Sequence, residues 1–186
     1  VKLSDIIDEV NKDIDDELDD GYIIGWINRA IDDISPFANH QQTSTISLIA
    51  DQKAYPKPTD LIKVVMLVDE TGSTPQGLYE LPIRDFTSCG YKVIGQDIVI
   101  QPTPKEPKSL SLYYEARLPH LSLPDDVPVI RSDFHDLLVL YAVARARYQD
   151  EEEGLQVNAM SEYLSRRSQF VYECRKAPMY NIEMIF

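Results

Sequence analysis

Apolar side chains recur along this chain with two different periods, and the switches between them mark out its parts. Leu3, Ile6, Ile7, Val10, Ile14 and Leu18 fall at helical spacing with acids opposite. They predict a helix over 3–18, capped at Ser4 or Asp5 and ended by Gly21. A second helix over 22–38 carries Ile23, Trp26, Ile27, Ala30, Ile31 and Ile34 as its stripe, and Ser35-Pro36 closes it. Trp26, the only tryptophan, sits mid-stripe as a core anchor. From residue 43 the period drops to two, with Thr45, Ser47 and Ile49 alternating against Ile46, Leu48 and Ala50. Further strand segments are predicted at 61–68, 78–81, 91–93, 97–101 and 110–115, with one helical turn within 83–89. Gly95-Gln96 makes a hairpin turn, and the short connections call for antiparallel meander pairing.

The helical period returns at Ser132-Asp133, a start signal for the longest apolar pattern in the chain. Phe134, Leu137, Leu138, Tyr141, Ala142 and Tyr148 form one face, while Val139, Leu140, Val143 and Ala144 fill most of the others. A helix apolar on nearly all sides belongs inside the protein or between subunits. Asp150-Glu151-Glu152-Glu153-Gly154 interrupts it, and a second helix carries Leu155, Ala159, Met160, Tyr163, Leu164, Phe170, Val171 and Cys174, making an antiparallel hairpin. The expected fold is α+β and a single domain over 1–186. It has a four-helix body, two helices N-terminal (1–40) and two C-terminal (132–175), a small antiparallel β insertion (43–117) and an extended C-terminal tail (176–186). Pro178 stops the last helix, and a tail ending on Ile182, Met184, Ile185 and Phe186 either packs on its own body or docks into a partner.

Charge narrows the partners. The net charge is −13, and the first twenty residues hold nine acids against two lysines. Affinity for nucleic acid or anionic lipid comes chiefly from Lys and Arg, so specific DNA binding and membrane binding are not expected. No apolar run approaches the roughly 18 residues of a membrane span, and no basic-then-apolar leader opens the chain. Cys89 and Cys174 read as free thiols.

Candidate chemistry is sparse. His40, His120 and His135 are not spaced with one another, or with Cys or carboxylates, as metal ligands. Gly21 at the sixth position of a calcium loop would put Leu18 and Ile27 where oxygen ligands are needed. There is no nucleophile elbow, phosphate loop or dinucleotide fingerprint. His135 lies beside Asp133 and Asp136, but neighbours at those offsets do not face one another on a helix. No catalytic residue, metal or cofactor is expected.

Three stretches carry a resemblance. Gly25-Trp26-Ile27-Asn28-Arg29-Ala30-Ile31, Tyr55-Pro56-Lys57-Pro58-Thr59-Asp60-Leu61, and Asp126 through Leu138 with Tyr141-Ala142, Asp150 and Ala159 stand in that order. Together they resemble the head-to-tail connector (adaptor) proteins of tailed bacteriophages; Arg131 stands where that pattern has a second proline. The resemblance implies a structural, non-enzymatic protein of the virion neck, made in the host cytoplasm. It would form a dodecameric homo-oligomeric ring between the portal protein and a tail or stopper protein, with DNA passing through. Pro178, Met179, Tyr180, Ile182, Met184, Ile185 and Phe186 would then dock on the portal, and Asp8, Asp15 and Asp16 would face the channel. Arg145, Arg147, Arg166 and Arg167 would meet acids of the neighbouring subunit. The rival readings are another neck component (tail-completion or stopper), a metal-dependent hydrolase using the acids, and an acidic module mimicking DNA.

Overall fold

The computed structural model describes residues 1–14, 18–149 and 153–175. Of these, the residues before His40 and those from Leu118 to Arg175 form one compact unit, and His40–Arg117 forms another.

The first unit holds α1 (Leu3–Asp13), α2 (Asp20–Ile34), α3 (Asp136–Gln149) and α4 (Glu153–Arg175). Eleven residues make α1 too short to persist alone, since isolated helices under about 12–15 residues are marginal. Burial of Leu3, Ile6, Ile7 and Val10 holds it in place. It ends earlier than the apolar spacing predicts, because Ile14 is extended. Gly21 is not its terminator. Asp19 caps the next helix by accepting from the Gly21 N–H at 2.7 Å, so the acidic run is a start signal and Gly21 lies in the first turn of α2. Trp26 is buried mid-stripe, as expected, with Ile23, Ile27, Ala30, Ile31 and Ile34. The α-helix stops at Ile34, and Ser35–Phe37 adds a single 3-10 turn around Pro36, which cannot continue an α-helical ladder.

A proline-stiffened connector leads back from Leu118. Asn28 clamps it from both sides, donating to the Leu121 carbonyl and accepting from the Leu121 N–H, each at 2.9 Å. Ser35 accepts from the Leu118 N–H, while Asp126 accepts from the backbone of Ser122 and Leu123. The connector thus gives its backbone polar groups partners without forming a helix or strand.

In α3, Leu137, Leu138, Val139, Ala142, Val143, Ala144 and Ala146 are buried around nearly the whole circumference, because α1, α2 and α4 all pack against it. It begins later than Ser132-Asp133 suggests: a 3-10 turn, Ser132–Phe134, precedes it without a side-chain cap. Paired rings give the direction of α4. Phe134 meets Phe170 at 5.2 Å and Tyr141 meets Tyr163 at 5.1 Å, an antiparallel hairpin. Two expected core faces are narrower than predicted. Tyr148 on α3 and Leu155 and Leu164 on α4 are exposed, because α4 packs chiefly on α3 and buries only the stripe of Ala159, Tyr163 and Phe170.

The second unit contains two antiparallel sheets. One has the order β1 (Gln41–Leu48), β7 (Lys108–Ala116), β3 (Leu61–Asp69), β4 (Gln76–Leu78); the other runs β2 (Ala54–Pro56), β6 (Asp97–Gln101), β5 (Gly90–Ile94). The β5–β6 hairpin turns at Gly95-Gln96, as expected. The pairing is not a meander: β7 returns to lie between β1 and β3, in register Thr43↔Tyr113 on one side and Leu67↔Leu112 on the other. The reason is burial. Leu110, Leu112, Tyr114 and Ala116 of β7 are all buried, so it is favoured in the sheet interior. One face of each sheet supplies a shared core of Ile46, Leu48, Tyr55, Val64, Leu67, Tyr91, Ile98 and Ile100 together with those β7 residues. The predicted helical turn in 83–89 is instead a loop.

Candidate assembly surfaces

The helical unit spends its late arginines internally. Arg166 donates to Asp136 at 2.7 Å, to Gln169 at 2.8 Å and to the Asp133 carbonyl, with its guanidinium over the Phe134 ring. Arg167 grips Asp33 at 2.5 and 3.2 Å and stacks over Phe37. Tyr163 donates to the same Asp33 carboxylate at 2.6 Å, and its burial, reinforced by that carboxylate, raises the phenol well above its ordinary pKa. Arg147 donates to the Asp13 carbonyl at 3.0 Å, while Arg145 is half-buried with its guanidinium over Tyr148. All four basic residues therefore already contact groups of their own chain.

Asp8 is exposed on α1, opposite the buried stripe, beside Asp5 and Glu9. Asp15 and Asp16 lie outside the described residues, as do Pro178, Met179, Tyr180, Ile182, Met184, Ile185 and Phe186. His135 is buried and its Nε2 lies 3.1 Å from the Ile130 carbonyl oxygen, not paired with an acid. Among the described residues no group of three His, Cys, Asp or Glu side chains could hold a metal ion, and no helix is long and apolar enough to cross a membrane.

The sheet unit presents a surface that periodicity could not reveal. Between β4 and β5, Tyr79, Ile83 and Phe86 are 80%, 68% and 79% exposed, on a loop that is nonetheless tightly held. The Lys92 ammonium, on a buried residue, donates to the carbonyls of Ile83 and Asp85 and lies 4.7 Å from the centre of the Phe86 ring. Asp85 accepts from the backbone N–H groups of Thr87 and Ser88, and hydrogen bonding from the Ser88 side chain, together with these backbone bonds, holds its carboxyl well below the usual range. Tyr91 donates its N–H to the Tyr79 carbonyl at 2.9 Å and accepts from the Leu81 N–H at 2.8 Å. Gly90 is required at that crossing, since a Cβ there would strike the Tyr79 carbonyl oxygen and the Leu81 side chain. Beside the loop opens a cleft of about 650 Å³ whose walls include Leu48, Leu78, Ile100, Pro102 and Pro104. Its charged rim contains Asp69, held by Lys108 at 2.6 Å, and an exposed Glu106. The only sequence hint of this surface is three large apolar residues in a stretch without period.

Exposed, apolar and held by its own hydrogen bonds, the loop beside this cleft suits contacts between proteins. A sequence model of the SU10 adaptor protein family matches residues 1–175. The chain belongs to that family. It is therefore a phage head–tail adaptor, a structural protein of the neck type. The match spans α1 to α4 and both sheets of this SU10 adaptor family member. No curated protein matches the chain. Membership implies contacts with other head and tail proteins and a place in the virion.

Proposed function

We propose that this adaptor forms a dodecameric ring beneath the portal, carries the tail or stopper protein on its far side and lines the path of the DNA. The observation that carries the reading is the family match across both units. Charge supports it: Asp5, Asp8 and Glu9 stand on the solvent face of α1, and Asp15 and Asp16 continue the acidic run in sequence. A wall bearing acids repels phosphates and lets DNA pass without holding it. The apolar tail, with Ile182, Met184, Ile185 and Phe186, docks on portal subunits by inserting into a groove or sheet edge. Arg145, Arg147, Arg166 and Arg167 keep partial solvent access and pair in addition with acids of the next subunit.

Two experiments test this. Deleting residues 176–186 should abolish capture by the portal protein encoded in the same genome, and undiminished capture would refute the tail's role. Electron microscopy of the assembled neck should find Asp8 facing the lumen; acids on the outer rim would refute the conduit assignment.

A further inference from the structure

The sheet unit carries two neighbouring features with opposite shapes. One is the apolar loop bearing Ile83 and Phe86; the other is the cleft walled by Leu48, Leu78, Ile100 and Pro102. Association costs least when a surface is already ordered, because less side-chain and loop entropy is lost. The bonds from Lys92 and Asp85 supply that order, so the exposed rings need no rearrangement to enter a partner. The cleft's volume of about 650 Å³ falls within the roughly 300–1,000 Å³ of pockets that enclose sizeable ligands, enough for one Phe and one Ile side chain.

Charge complementarity favours a second copy as the occupant. On the cleft rim Lys108 pairs with Asp69 and Lys105 with Asp51, which leaves Glu106 without an ion-pair partner among the described residues. On the loop, Arg84 stands exposed between Ile83 and Phe86, also without one among the described residues. We infer that the 79–89 loop of one copy inserts Ile83 and Phe86 into the cleft of a second copy, where Arg84 meets Glu106. Two unlike, complementary surfaces on one chain are what a head-to-tail contact between identical subunits requires. The inference rests on the proposal that copies of this adaptor contact one another, and it assigns the surface through which they do so.

The test is sedimentation velocity of the full chain and its variants. Arg84→Glu and Glu106→Arg should each weaken self-association by about tenfold or more, and Phe86→Ala by about thirtyfold. The melting curves of the two charge variants should match the unchanged protein, since both side chains are exposed, and Phe86→Ala should melt only slightly lower, for the lost contact with the Lys92 ammonium. Mixing the two charge-reversed variants restores matched charge in both directions, because the acid placed at position 84 of one chain meets the base placed at position 106 of the other, while the unchanged Arg84 of the second meets the unchanged Glu106 of the first. The mixture should assemble with the two variants alternating in equal amounts, to the extent the unchanged chain does, and neither variant should do so alone. An unchanged chain that stays monomeric to about 1 mM overturns the inference. So does self-association insensitive to all three substitutions, or a mixture that does not pair. Portal capture, read separately, stands or falls with the tail, so failure here is distinguishable from failure of the ring reading.

Discussion

Tyr163 and Asp33, on α4 and α2, meet through a 2.6 Å hydrogen bond, and Arg167 donates to both oxygens of the same carboxylate. Asp33 thus joins the late helix pair to the early one. Tyr163→Phe should cost about 1.5–3 kcal/mol, the range for a hydrogen bond to a charged group, toward the lower end because Asp33 keeps Arg167. Asp33→Ala should cost more, since it strands both partners. Chemical denaturation measures both.

Alkaline pH gives a separate reading of the same contact. The folded phenol of Tyr163 ionises well above its ordinary value of 10, so above that value the unfolded chain loses a proton that the folded chain keeps. The contribution is complete below pH 10 and is lost as pH rises beyond it. Stability should fall in that range, and Tyr163→Phe should flatten the fall. Tyr91, Tyr113 and Tyr114 are shifted in the same direction and will retain part of it.

In acid one sensitive pair is Asp69 and Lys108. The Lys108 hydrogen bond, with help from Thr71, lowers the Asp69 carboxyl from 3.8 to about 2. Stability from this group is therefore present above about pH 4 and lost as pH falls toward 2. Lys108→Met should reduce the acid dependence of the melting temperature over that interval while leaving its value near neutrality little changed, because the pair is partly exposed.

Gly90→Ala should destabilise the sheet unit by about 2 kcal/mol or more. The added carbon meets the backbone oxygen of Tyr79, which cannot move without breaking its bond from the Tyr91 N–H. Denaturant titration should show a lower midpoint, and the variant should also self-associate less, since the 79–89 loop is displaced.

Asn28→Ala should cost about 2–3 kcal/mol, because it leaves both the N–H and the carbonyl of Leu121 without their side-chain partner in a part-buried setting. Asn28→Asp should fall between Asn28→Ala and the unchanged chain, retaining an acceptor for the Leu121 N–H; denaturant midpoints rank the three. The same residue stands in the stretch around Trp26 that carries the family resemblance, and its clamp gives that motif a physical reason.

Much of the architecture was legible in the chain's periodicity. The buried stripe of α2, the nearly all-round burial of α3 and the hairpin at Gly95-Gln96 follow from apolar spacing and turn chemistry. What escaped depends on partners remote in sequence. Asp19 and Gly21 carry both stop and start signals, and only the extended backbone at Ile14 decides between them. The place of β7 between β1 and β3 follows from which strand is buried most completely, not from chain order. Leu155 and Leu164 obey helical spacing yet lie exposed, because a single-sequence pattern does not count how many neighbours an element has. The 79–89 loop is ordered by Lys92, whose ammonium sequence reasoning would have placed in solvent.

The sheet unit enters and leaves the chain through one doorway. The Ala116 N–H donates to the His40 carbonyl at 2.7 Å, so the two ends of the excursion touch each other. Modules with adjacent ends can be lengthened, traded or excised at little topological expense. A relative could therefore swap this cassette for another and acquire a new neighbour while keeping its helical scaffold. A chain in which a short Gly-Ser bridge replaces residues 41–115 should still fold its helices, as circular dichroism and cooperative melting would reveal.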